Sequence, residues 1–266
     1  MNQEEKRLYL IKYLLSENNK CCDVDIPSNK DEQKRLLRSL FNVRLPAKID
    51  EEFLKIQDEY LQEETRLKGI TDIKDLLEIE DGIYLWQGDI TTLKCDAIVN
   101  AANSGLTGCY IPCHNCIDNI IHTYAGIQLR NKCYEIILKQ GHEEETGKAK
   151  ITKAYNLPSK YIIHTVGTIV NGNVTNENQE ELKSCYMSCL KLADENNLDN
   201  IAFCCISTGV FGFPNELAAE IAVNTVRDYQ KNSKTKLEVI FNVFKECDYE
   251  IYKKLLGRYK TSQRKN

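Results

Sequence analysis

The chain has 266 residues, 42% hydrophobic and 28% charged, with 13 Gly, only 5 Pro and a net charge of −4. This composition excludes a disordered chain, and the slightly acidic balance excludes the broad basic face that duplex nucleic acid requires. No stretch approaches the roughly 20 consecutive apolar residues of a membrane span.

The opening MNQEEKRLYLIKYLL sets acidic residues before a short apolar run and lacks the basic start, uninterrupted apolar stretch and small-residue cleavage site of a signal peptide. A cytoplasmic location is therefore expected. In that reducing setting the twelve cysteines read as thiols or metal ligands rather than a disulfide framework.

Residues 1–77 carry apolar stripes at helical spacing: Leu8, Ile11, Leu14 and Leu15; then Leu36, Leu37, Leu40 and Phe41; then Phe53, Ile56, Tyr60 and Leu61. Pro27 and Pro46 punctuate them, and the spacing predicts a small helical N-terminal extension packed on the next domain. Thr71 to Glu80, with Ile73, Leu76 and Leu77 on one face, reads as a last short helix.

From residue 78 the texture alternates. Ile83–Gln87, Ala97–Asn100, Lys150–Tyr155, Tyr161–Val166, Ile201–Ile206 and Leu237–Val243 read as strands, and 117–140, 177–196, 216–231 and 249–256 as helices. Near-continuous apolar runs such as IAFCCI argue a mostly parallel central sheet covered on both faces, an α/β fold over 78–258. Residues 259–266, with Lys260–Asn266 strongly polar, read as a frayed tail. Ligands of such sheets sit beyond the carboxyl ends of the strands, where the two most informative loops fall.

The first loop, Asn100 to Gly108, offers amide side chains among small residues that let backbone approach a ligand. The second, Ser207-Thr208-Gly209-Val210-Phe211-Gly212-Phe213-Pro214, precedes a helix, so it reads either as a structural turn or as a phosphate cradle made of unpaired amides. No GxxxxGK[ST] and no GxGxxG competes with it. Between the loops' domains of influence lies CYIPCHNC, which gathers Cys109, Cys113, His114 and Cys116 within eight residues. Thiolates and imidazole are zinc ligands, and the loop reads either as a complete four-ligand site or as three ligands with an open position. Asp118 and His122, four apart at the start of the next helix, share one face; Asp118 reads equally as a helix-capping carboxylate or as a group that orients water or a ribose hydroxyl.

Six ordered blocks carry a resemblance: GDIT from Gly88, DAIVNAAN from Asp96, the Ile117-Asp118…Ile121-His122…Ala125-Gly126 pattern, TGKA from Thr146, YIIHTVG from Tyr161 and STGVFGFP from Ser207. Together they resemble the macrodomain family, in its ADP-ribosyl-hydrolase branch, over about residues 80–256. Where ordinary hydrolytic macrodomains carry a run of glycines this chain has GCYIPCHNC, a departure similar to that of the zinc-containing macrodomains, some of which accompany a sirtuin-type transferase and carry an N-terminal helical extension.

The resemblance implies a three-layer α/β/α fold that binds ADP-ribose or a mono-ADP-ribosylated protein, with Zn2+ as cofactor. It implies that Asp89 receives the adenine amine beside the Ile90 backbone, and that Asn103 contacts the distal ribose. It also implies that the Ser207 to Phe213 loop, including Thr208, Gly209, Val210, Phe211 and Gly212, cradles the diphosphate. Phe213 is placed by it at one end of the ligand. Cys109, His114 and Cys116 are the implied metal ligands, with Cys113 a bystander, and Asp118 and Asn103 the catalytic residues. The activity implied is zinc-dependent removal of ADP-ribose from acidic side chains. A non-catalytic ADP-ribose reader with structural zinc, or an O-acetyl-ADP-ribose deacetylase, would use the same pocket.

Overall fold

Seven strands form the central sheet of the computed structural model, which describes residues 1–17 and 24–263. In chain order the strands of the molecule are β1 (Thr71–Asp72), β2 (Glu78–Glu80), β3 (Ile83–Gln87), β4 (Leu93–Lys94), β5 (Ala97–Ala102), β6 (Ala149–Lys153), β7 (Tyr161–Val166), β8 (Asn200–Phe203) and β9 (Glu238–Val243). The sheet runs β2-β3-β9-β8-β5-β7-β6, with the inner five strands parallel and each edge strand antiparallel to its neighbour. Its middle strands read as unbroken apolar runs because both faces are covered: Ile98, Val99, Ile162, Ile163, Ile201, Ala202, Val239 and Ile240 are all buried.

Five helices cover the sheet: α4 (Ile117–Ala125), α5 (Ile127–Gln140), α6 (Asn176–Glu195), α7 (Asn215–Asn232) and α8 (Glu246–Gln263). Cys185 and Cys189 lie on the buried stripe of α6, where they act as small apolar side chains. Before the sheet, α1 (Gln3–Ser16), α2 (Lys30–Val43) and α3 (Glu51–Lys68) enclose a core of their own around Leu10, Ile11, Leu37, Phe41, Phe53 and Leu61. Ile127 of α5 belongs to that same cluster, so the extension is seated on the α4–α5 corner. Each such side chain, fully buried, contributes about 1.5–3 kcal/mol.

Three local expectations fail. Thr71 to Glu80 is no helix: β1 pairs with β4, a single turn of 3₁₀ helix spans Ile73–Asp75, and β2 forms the sheet edge on β3. Its partners lie elsewhere in the chain, so its apolar spacing alone could not reveal the pairing. The 117–140 helix is broken at Gly126, whose φ of +94° ends α4 and starts α5. A Cβ there would meet the Gln57, Gln128 and Asn156 side chains within 3.0 Å. The polar tail continues α8 as far as Gln263 rather than fraying from Lys260. Cys21, Cys22 and residues 264–266 fall outside the described residues.

Candidate active site

β5 delivers the first catalytic candidates. Asn100 stands on β5 opposite His164 of β7 and donates through Nδ2 to Asp118 Oδ1 at 2.8 Å; Nδ2 also lies 3.2 Å from His164 Nδ1. Asn103, just beyond the strand, donates to Asp118 Oδ2 at 3.3 Å and to the Gly108 carbonyl at 3.2 Å. Asp118 is not the cap of α4; Cys116 is, its Sγ accepting the Asn119 amide at 3.4 Å. Burial pushes the Asp118 carboxyl up to about 6, against the lowering pull of the Asn100 hydrogen bond and the Arg130 charge.

His122 stands one turn further along α4, its Nε2 3.5 Å from Asp118 Oδ1. Burial first, then His164 and Arg130, hold His122 far below its ordinary range, so the imidazole is neutral. Gly108 passes directly over this ring: with φ +84° and a Cβ that would come within 2.7 Å of His122, only glycine fits. His164 and Cys133 complete the buried layer beneath, Cys133 Sγ lying 3.8 Å from His164 Nε2. Of the remaining histidines, His142 is exposed on its loop.

The cysteine loop folds so that Cys109, His114 and Cys116 present donor atoms within 4.8 Å of one another, with Cys109 Sγ 3.7 Å from His114 Nδ1. Cys113 turns the other way, its thiol donating to the Arg35 carbonyl of α2 at 3.3 Å. Burial, and the negative charge available at Cys109 and Asp118, push the Cys116 thiol up, while the Asn119 amide lowers it. Two thiols and an imidazole with donor atoms this close together match the donor chemistry zinc takes, so the residues fit that ion.

At the carboxyl end of β8 the Ser207–Phe213 loop turns on itself: Gly212 N–H donates to the Gly209 carbonyl and Phe213 N–H to that of Ser207. The amides of Thr208, Gly209, Val210 and Phe211 donate to no acceptor among the described residues, and they lie just before the N-terminus of α7. The Phe213 ring is 1% exposed and belongs to the main core, so what Phe213 offers a ligand is its backbone. Phe211 instead joins Asn103 in lining a cleft of about 540 Å³, together with Gly167 and Thr168.

Asp89 caps the turn after β3, its Oδ1 accepting from Thr91 N–H and Oγ1 at 3.0 and 2.6 Å. Its Oδ2 accepts from Lys68 of α3 at 2.9 Å. Burial raises its pKa, but the Thr91 and Lys68 contacts outweigh that and hold the carboxyl below the usual range. Ile90 is buried, so its side chain is core and its backbone alone faces the turn. Lys68, which also sits 3.4 Å from the centroid of the Tyr124 ring, has no local sequence signal. Phe244 differs: it is 76% exposed at the end of β9, where Gly88 N–H donates to the Val243 carbonyl. An exposed aromatic at a strand's carboxyl end is the signal that could have found it.

The family model for the Macro domain matches residues 99–222, which span β5, the cysteine loop and the β8 loop. Over its whole length the chain is similar to the protein-ADP-ribose hydrolase of Treponema medium, 56% identical over 261 residues covering 97% of this chain and 100% of that protein. The chain belongs to the macrodomain family. The protein-ADP-ribose hydrolase of Staphylococcus aureus (strain MSSA476) is 52% identical over 252 residues, 94% of each chain. The Trypanosoma brucei macrodomain solved in complex with ADP-ribose superposes with a TM-score of 0.64 at 30% identity, covering 82% of this chain and 94% of that one. As in other macrodomains, the α/β fold carries a mostly parallel sheet with helices on both sides. Among the described residues, no helix is long and apolar enough to cross a membrane.

Proposed function

We propose that this macrodomain is a zinc-dependent protein mono-ADP-ribosyl hydrolase, releasing ADP-ribose from modified acidic side chains. The observation that carries the reading is one buried carboxylate, Asp118, fixed by two asparagine amides and two residues along the chain from Cys116, one of three clustered side chains of the kinds that ligate zinc. The relatives named for this hydrolysis, and the T. brucei macrodomain solved with ADP-ribose, supply the ligand class.

The unpaired amides of Thr208 to Phe211 suit a diphosphate, since backbone N–H groups at a helix start favour an anion. Asp89 offers a carboxylate to a purine amine and Phe244 an aromatic face beside it. In this reading the distal ribose lies toward Asn103 and Asp118. Held by Cys109, His114 and Cys116, zinc would supply a Lewis acid that polarises oxygen or lowers the pKa of water to about 7. Asn103 fixes the Asp118 carboxylate, and Asp118 orients a hydroxyl or water and takes its proton at Oδ2 as the anomeric bond breaks. A carboxylate leaves without needing a proton, which suits a site whose nearest imidazole, His122, is neutral. The thiol ligands fit a reducing, cytoplasmic setting. By the same resemblance, a sirtuin-type transferase is the expected source of the modified protein.

Treatment with a chelator is expected to abolish ADP-ribose release from a mono-ADP-ribosylated protein while ADP-ribose affinity falls less than about threefold, activity returning with added zinc. Full turnover by metal-free protein would sink the zinc dependence. Absence of released ADP-ribose even at stoichiometric enzyme would instead leave a binding module.

A further inference from the structure

The extension's α2 touches the cysteine loop at three positions on one helical face. The Arg35 carbonyl accepts the Cys113 thiol, Arg38 Nη2 donates to the His114 carbonyl at 2.7 Å, and Asn42 Oδ1 accepts the Cys113 N–H at 2.8 Å. Residues 35, 38 and 42 are spaced three and four apart, the interval that brings side chains onto one side of a helix. Two of these three residues also tie into α4. Arg38 Nη2 reaches Asn119 Oδ1 at 2.9 Å, and Asn42 Nδ2 reaches Thr123 Oγ1 at 2.9 Å.

The loop needs this support. Cys113 has a φ of +53°, a left-handed conformation that a non-glycine residue adopts at a cost of about 1–2 kcal/mol. Without the Asn42 acceptor its amide would be left unsatisfied at that strained residue. A second clamp lies at the far end of α2, where Arg130 of α5 donates through Nη1 to the carbonyls of Phe41, Asn42 and Arg44 and through Nε to the Thr107 carbonyl at 2.7 Å. Its guanidinium also lies 4.3 Å from the centroid of the Tyr110 ring. One buried cation thereby locks the carboxyl end of α2 to the start of the cysteine loop, where its charge also complements the helix dipole.

We infer that the N-terminal extension sets the metal affinity of the macrodomain, with Arg38 and Asn42 as positioning residues that hold Cys109, His114 and Cys116 in their ligating arrangement. This rests on the metal reading above. Removing a partner that orients a ligand from outside the coordination sphere lowers metal affinity about 10–100-fold, because the free site must then be ordered at the moment of binding.

Zinc affinity is measured on the full chain by competition with a chromogenic chelator, alongside ADP-ribose affinity by calorimetry and folding by circular dichroism. Arg38→Ala and Asn42→Leu are each expected to weaken zinc binding about 10–100-fold while ADP-ribose affinity stays within about twofold. Arg38→Lys, which keeps one donor for the His114 carbonyl, recovers part of the loss. Ile11→Val trims the extension's own core without touching the loop and leaves the zinc Kd unchanged. Should Arg38→Ala fail to fold, Arg38→Lys and Asn42→Leu decide the question. Folded variants that bind zinc as tightly as the parent overturn the inference while leaving the metal reading intact. A parent that binds no zinc overturns both, and shows it before any substitution is made.

Discussion

The loops that leave β5 and β8, neighbouring strands of the sheet, are held in opposite ways. The β5 loop is pinned by side chains from other elements: Arg38 and Asn42 from α2, Arg130 from α5, and Asn119 from α4, whose Nδ2 donates to the Cys109 and Ile111 carbonyls. The β8 loop is held mainly by its own backbone, with a single outside hydrogen bond among the described residues, from Val170 N–H to the Phe211 carbonyl. The difference is physical. Groups that perform chemistry must be fixed in advance, because small misplacement costs rate, whereas an anion can be met by a row of free amides. The β5 side should therefore control turnover and the β8 side binding.

The largest test of this division is Asp118→Asn. It keeps the shape but removes the proton acceptor, so kcat for ADP-ribose release is expected to fall about 10²–10⁴-fold, with ADP-ribose affinity changed less than about threefold. An equal loss in affinity would show that Asp118 holds the ligand rather than serving the reaction.

How much of this was legible beforehand follows from the range of the interactions. Asn103, Cys109, His114, Cys116 and Asp118 stand within sixteen residues of one another, so spacing could bring them together on the page. The strands β5, β7 and β9 announced themselves because each is buried over most of its length and reads as an apolar run, and β3 because its residues alternate between buried and half-buried. Arg38, Asn42 and Lys68 could not be found that way. Their partners lie 76, 71 and 21 residues downstream, and on a helix such residues look like an ordinary solvated face. The break at Gly126 escaped for a related reason: the apolar spacing continues through it, and what forbids a side chain there is packing against Gln57 of α3.

A second test is specific to the β5 side, because the buried His122–His164 layer lies beneath it. Burial lowers both pKa values, that of His164 to about 3, while the unfolded chain titrates near 6.5. A depressed folded pKa means the stability is complete above pH 6.5 and is lost as the pH falls, by about 1.4 kcal/mol per pH unit for each histidine. Asp118, raised to about 6, takes up a proton in the folded state between there and its ordinary value near 3.8, which offsets one of the two. His164 contributes about 1.4 kcal/mol per pH unit to the loss between pH 6 and 4, read from urea unfolding with chelator present. Replacing His164 with Gln should cut that slope by the same amount. An unchanged slope would mean that the layer opens to water before the chain unfolds.

The smallest effect falls on the β8 side and is the sharpest test of separability. Gly212 has a φ of +72°, and a Cβ there would stand 3.2 Å from the Val170 carbonyl. Gly212→Ala must hold a left-handed conformation costing about 1–2 kcal/mol or shift the turn, and either response moves the free amides of Thr208 to Phe211. Affinity for ADP-ribose is expected to fall about tenfold, which corresponds to about 1.4 kcal/mol. At saturating substrate kcat should stay within about twofold of the parent, since Asp118, Asn103 and the cysteine loop take none of their hydrogen bonds from the β8 loop. A kcat that falls in step with affinity would show that the diphosphate end positions the distal ribose through the ligand itself, making the two loops one unit.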